Sequence, residues 1–264
     1  MNIFLREVKS NFKSLLIWGV IVVLFISVGF SKFSAYADNP EMLAILDNLP
    51  PALLEAFNFD AFNLTTVTGF FGVMFSYFAL LLSISAAMWG SDVISKEERD
   101  KTVEFALTLP VPRSRLVTAK TLAALVNCIG LNLITYGAIL YSVGQYTPDA
   151  DFYNFLSIGM LALFFMQLIF LAIGIFLGAA MKQYKRASSV AVSLLLGTYF
   201  LSILSDLNQD FEFIKYISPF KYFNPALILR DSGLDMNYVW LSLAIIVICI
   251  AGAHFTYSRR DLYI

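Results

Sequence analysis

The residue types present limit the chemistry before any fold is considered. One histidine and two cysteines in 264 residues cannot supply a multi-histidine metal site or a disulfide scaffold. No G-x-x-x-x-G-K-[ST] phosphate cradle occurs, and no H-E-x-x-H, G-x-S-x-G or paired intramembrane aspartates occur. Three groups of residues remain that can do something specific. The amides Asn127, Asn132 and Gln167 sit in otherwise apolar runs, where facing lipid is costly. Such amides either line a pathway or hydrogen-bond one helix to another. Lys96, Glu97, Glu98, Arg99, Asp100, Lys101 and Glu104 crowd both signs of charge into one short stretch. The third group is a run of aromatics at 211–223 interrupted by Pro219.

The elements that position these groups follow from composition. The chain is 59% hydrophobic, 16% aromatic and only 14% charged, with a mean hydropathy of +0.74. Soluble domains are about a quarter charged, so this balance belongs to an integral membrane protein. Basic and acidic residues number 18 and 19, and without a basic excess nucleic acid is not an expected partner. Six charge-free stretches are long enough to cross a bilayer, at 14–31, 61–91, 121–148, 152–181, 187–205 and 236–258. They are continuously apolar rather than alternating, so they read as helices and not as barrel strands. The fold class is therefore all-α integral membrane, with 1–264 forming a single six-span domain.

Of the 18 lysines and arginines, all but Lys32, Lys215, Lys221 and Arg230 fall on one side of these spans. The positive-inside rule makes that side cytoplasmic and places both termini there, in a multi-pass protein of the cell membrane. A basic N-terminus followed by an apolar run and Ala35-Tyr36-Ala37 also resembles a cleavable signal peptide. The run is long for that, and it reads as a retained first span.

Outside the spans, 1–13 carries Leu5, Val8 and Phe12 on one helical face and Arg6, Lys9 and Lys13 on the other. This predicts an interfacial helix on the cytoplasmic leaflet, its basic face towards anionic membrane lipid. Amphipathic pieces at 42–49 and 52–57 are expected on the outer surface. The outer segment 206–235 reads either as an aromatic belt or as a re-entrant lid over a lateral exit. In the cytoplasmic loop 92–115, Ser95-x-x-Glu98 suggests a capping box that opens a short helix. Val103, Ala106 and Leu107 give that helix an apolar patch, and Pro110 and Pro112 end it. It reads as a solvated turn helix or as a docking peg for a cytosolic partner.

All Asp, Glu, Lys and Arg lie outside the six stretches, whereas an ion-coupled carrier normally keeps ionisable groups within them. Cys128 and Cys249 read as small packing residues, and His254 as a packing or interfacial residue. Gly174-x-x-x-Gly178 permits close helix approach.

The loop at 94–113 resembles the ABC-2 family of ABC transporter permeases. Glu98, Thr102, Glu104, Leu107, Pro110 and Arg113, with Lys120 downstream, follow that family's order between spans two and three. Lys101 stands where the family usually has glycine, and Pro112 where it has serine or threonine. The stretches 217–225 and 259–262 resemble the family's segment before span six and its ending, and 49–57 is similar to one branch. The resemblance implies a permease subunit of an ATP-driven exporter in a prokaryotic cytoplasmic membrane. It implies no cofactor in this chain, with ATP and Mg bound by a separate ATP-binding subunit. A coupling helix at 96–109 would seat in that subunit through Lys96, Glu97, Glu98, Arg99, Thr102, Glu104, Leu107, Pro110 and Arg113. One six-span chain would supply half of the usual transmembrane unit, completed by a second copy or a related permease. Asn127, Asn132 and Gln167 are the expected pathway-lining residues, and the Phe-rich neutral spans favour an amphipathic or apolar cargo. The competing readings are a carrier or channel without an ATPase, and a membrane anchor or sensor that moves no solute.

Overall fold

The computed structural model describes residues 3–35, 37, 48, 50, 54, 62–99, 111–181, 183–207 and 209–259. The pieces expected at 42–49 and 52–57 lie almost entirely outside them, and 100–110 lies wholly outside. Among the described residues the chain is helical, without strands. Its α-helices are α1 (Ile3–Phe33), α2 (Val67–Arg99), α3 (Arg113–Val143), α4 (Phe152–Ala180), α5 (Tyr184–Leu207), α6 (Pro225–Asp231) and α7 (Met236–Arg259). Two 3-10 turns, Gln209–Tyr216 and Pro219–Lys221, join α5 to α6. Six of the helices, all but α6, are long and apolar enough to cross a membrane.

Local chemistry sets the helix ends. Asn63 accepts hydrogen bonds from the Thr65 amide and hydroxyl, and Thr66 accepts one from the Gly69 N–H, so α2 begins at Val67 rather than with the apolar run at 61. Pro112, in an extended conformation, precedes α3, as expected where a residue cannot donate an N–H to a preceding turn. Asn224 caps α6 by accepting from the Ala226 N–H, with Pro225 in the first helical position.

Two sequence expectations are corrected here. Residues 3–13 are not a separate interfacial helix: α1 runs unbroken from Ile3 to Phe33 over 31 residues, about 46 Å at 1.5 Å per residue. No proline or glycine interrupts 12–15, and Ser14 at the junction is held by the Trp89 indole N–H at 2.8 Å. Nor does Ser95 open a new helix. It lies inside α2 and its hydroxyl donates back to the Ser91 carbonyl at 2.7 Å, so the helix continues through 92–99.

The core of the bundle is the parallel pair α2 and α4. Phe71 packs on Phe155, Phe75 on Gly159, Gly90 on Gly174, and Gly178 on Ile94. The sequence separation is the same in every pair, so the two helices stay in register for about 35 Å. Glycine makes this possible. A Cβ on Gly174 would lie 2.5 Å from the Ala87 carbonyl oxygen and one on Gly178 would lie 2.7 Å from that of Ser91, while one on Gly90 would overlap the Leu171 carbonyl. In lipid, where apolar burial does not drive helices together, such backbone contact is a main source of association.

The other helices pack around this pair. α3 lies on α1 in parallel, with Leu15 over Gly130 and Ile134 over Gly19. α7 packs on α4 where Gly252 meets the Phe176 ring, and α5 runs antiparallel to α2 with Ser188 bonded to Ser91 at 2.8 Å. Outward faces stay apolar, with Leu16, Val20, Leu24 and Val28 on α1, Phe200 and Leu204 on α5, and Val247 and Ile248 on α7. These are the faces that a bilayer would solvate.

The register makes a stability prediction. Gly174→Ala forces the two backbones apart and destabilises the purified chain by about 1–3 kcal/mol in detergent unfolding. Gly137→Ala, where a Cβ meets nothing within 4 Å, changes it by less than about 0.5 kcal/mol. Equal effects at the two positions would show that the close approach does not hold the bundle.

Candidate functional site

At the basic end of the bundle, charged side chains are used to tie helices together. Glu7 is only 2% exposed although it sits two turns from the chain's start. Its carboxylate receives Arg6 at 3.3 Å and Lys96 at 3.5 Å, and Lys96 also donates to the Ser10 hydroxyl at 2.5 Å. With the Trp89–Ser14 bond, this fastens the first turns of α1 to the last turns of α2. A buried carboxylate is tolerable only with such partners. Arg99 reaches back to pair with Asp92 on α2 itself.

The start of α3 is tied in as well. Lys120 is 1% exposed and its ammonium donates to the Val93 carbonyl of α2 at 2.5 Å. A cation beside the C-terminal turns of a helix also meets the negative end of its dipole. Arg113, the first residue of α3, donates to the Tyr257 carbonyl near the end of α7 at 3.4 Å. The residues flanking 100–110 are therefore fixed to α1, α2, α3 and α7.

Several residues expected to meet a partner also make contacts within the bundle. Lys96 turns inward to Glu7 and Ser10, and Glu98 is 8% exposed. Arg99 is half exposed and paired, and Arg113 serves α7. Thr102, Glu104, Leu107 and Pro110 lie outside the described residues, as does the Glu97 side chain. Lys120 and Glu7 matter more to this end than their spacing suggested, since nothing in a linear pattern places residue 7 beside residue 96.

The second candidate group lies in mid-bundle. Asn132 donates to the Gln167 side-chain oxygen at 3.3 Å and to the Met160 carbonyl at 3.2 Å, linking α3 to α4. Gln167 and Asn127 are fully buried. The Gln167 and Asn127 amide nitrogens and the Ser83 hydroxyl have no hydrogen-bond partner among the described residues. The α2–α4 register puts Ser83 and Gln167 at one level. These amides stand where α3, α4 and α2 pack together.

A cavity lies at the opposite end from the basic cluster. Phe75, Ser76 and Ala79 of α2, Met166 of α4 and Tyr199, Ser202, Ile203 and Asp206 of α5 form its walls. Phe220, Lys221, Phe223, Asn224 and Pro225 close it. The closing segment dips between helices. Phe223 stacks on Phe165 and Phe220 meets Phe170, which are about 20 and 27 Å along α4 from its start. Ser218 donates to the Thr198 carbonyl at 2.8 Å. Of the two readings of 206–235, the re-entrant one fits this depth. Aromatics and prolines signalled the segment in the sequence, but the pairing of Lys221 with Asp206 had no signal.

The basic-end clamp is testable by a double-mutant cycle. Glu7→Gln and Lys96→Met each lower stability in detergent by about 1–2 kcal/mol, and the double variant loses less than the sum. Full additivity would mean that the two side chains do not interact.

Residues 1–262 match a protein family described as ABC-2 family transporter protein. No curated protein matches the sequence significantly. Six candidate spans in an all-helical bundle agree with that match, and the chain belongs to the ABC-2 family of transporter membrane proteins.

Proposed function

We propose that this chain is the permease subunit of an ATP-driven exporter in a prokaryotic cytoplasmic membrane. A separate ATP-binding subunit supplies the energy, and a second permease chain, identical or related, completes the transmembrane unit. The basic end is cytoplasmic and receives the ATPase at 100–110. The observation that carries this reading is the anchoring around that stretch. Lys96 is clamped to Glu7, Lys120 to the Val93 carbonyl and Arg113 to the Tyr257 carbonyl. A push on 100–110 therefore passes at once to α1, α2, α3 and α7. Rigid helices that share such anchors move as bodies, which is how a closing ATPase pair would rock two permeases between inward and outward states.

The family match supports a transporter component, and the sequence holds no phosphate-binding loop of its own. Docking falls to Glu104, Leu107 and their neighbours, while Lys96 and Lys120 fasten the helices on either side.

Co-expression with a candidate ABC ATP-binding subunit tests the assignment. Glu104→Lys reduces co-purification at least about tenfold, a change of roughly 1.4 kcal/mol in binding, and leaves the melting temperature of the permease unchanged. Glu98→Lys lowers that melting temperature as well, because the site is buried. If Glu104→Lys and Leu107→Asp both leave co-purification and stimulated ATP hydrolysis unchanged, 100–110 is not the coupling element.

A further inference from the structure

The cavity under the re-entrant segment has two chemically distinct parts. Its inner wall carries the apolar and aromatic side chains Phe75, Ala79, Met166, Phe220 and Phe223, interspersed with the hydroxyls of Ser76, Tyr199 and Ser202. At its rim an ion pair joins the Asp206 carboxylate, at the end of α5, to the Lys221 ammonium on the second 3-10 turn. The Asp206 and Lys221 side chains are 30% and 17% exposed, so each charge is partly withdrawn from water. The cavity is small, ≈ 50 Å³, and partly open to the outside, so that it takes the tip of a hydrocarbon chain. Outward movement of the segment carrying Phe220 and Phe223 makes room for a larger guest, and because Asp206 sits on α5 and Lys221 on that segment, the same movement parts their ion pair.

Parting the pair selects the guest. A singly charged guest satisfies one member and strands the other, and a half-buried charge without a partner is strongly unfavourable. An uncharged guest offers neither member a replacement. A guest with both an ammonium and an anionic group exchanges one ion pair for two and strands nothing. From this we infer that the cavity is a binding site for an amphiphile with a zwitterionic head. The ammonium of the guest pairs with Asp206, its phosphate or carboxylate pairs with Lys221, and its apolar part lies against Phe75, Phe220 and Phe223. The intact Asp206–Lys221 pair is the latch of the empty site.

This site stands on its lining residues and does not depend on the chain moving a solute, so equilibrium binding tests it apart from transport. The full chain is purified in a maltoside detergent and titrated with dansyl-tailed amphiphiles of one chain length. Their heads are phosphoethanolamine, phosphate, trimethylammonium and maltoside. The phosphoethanolamine probe binds about tenfold tighter than the other three. Asp206→Asn removes that preference and leaves the phosphate probe the tightest, because Lys221 is then unpaired. Lys221→Met does the reverse and favours the trimethylammonium probe. The wild-type ranking is read first, so a variant that fails to fold leaves the central comparison in place. Equal binding of all four heads by the wild-type chain overturns the inference. So does a parallel weakening of every probe in both variants, which would make the pair a structural strap only.

Discussion

The contact between the backbones of α2 and α4 is the constraint on which the rest depends. At Gly90, Gly174 and Gly178 there is no room for a Cβ, so the two helices touch along one fixed register. That register sets Ser83 level with Gln167 and stacks Phe71 against Phe155. It also fixes where the remaining helices can go. α3 and α5 reach the pair through polar contacts, Lys120 to Val93 and Ser188 to Ser91, while α1 rides mainly on α3. A bilayer cannot drive helices together by excluding apolar surface, so close packing and a few hydrogen bonds must do so.

The few charges are disposed according to the same physics. At one end they fasten helices, with Glu7 and Lys120 buried but each within reach of a partner on α2. At the other end a single ion pair, Asp206 with Lys221, joins a re-entrant segment to α5. The two ends differ in what moves with them. The basic cluster locks long helices that span the bundle, whereas the opposite pair holds a short segment wedged among aromatic rings.

The spans were legible because each is a continuous apolar run, and a backbone in lipid must satisfy its own hydrogen bonds. The start of α2 was less so, since Asn63 and Thr66 build a turn inside an apolar stretch. The two misplaced boundaries, at 13–14 and at 95–98, have one cause. Polar residues read as helix ends in a linear sequence, but without a proline or glycine a helix continues through them when a neighbouring helix satisfies the polar side chains. Ser14 and Lys96 show this, each satisfied across the α1–α2 junction. The Gly174–Gly178 spacing was visible, but only Gly90 on the facing helix gives it meaning.

The linear pattern alone determined that this is a six-span helical membrane protein, with its cations gathered at one end and a charge-dense loop between spans two and three. It determined this because hydropathy and charge act on each segment locally, whatever the segment later packs against. Its order of residues also carried the family. Tertiary structure alone decided that Glu7 meets Lys96, that Lys120 meets Val93 and that Asp206 meets Lys221. Those pairs join residues from separate helices or across a re-entrant turn, and their contacts exist only once the α2–α4 register has set the height of every helix.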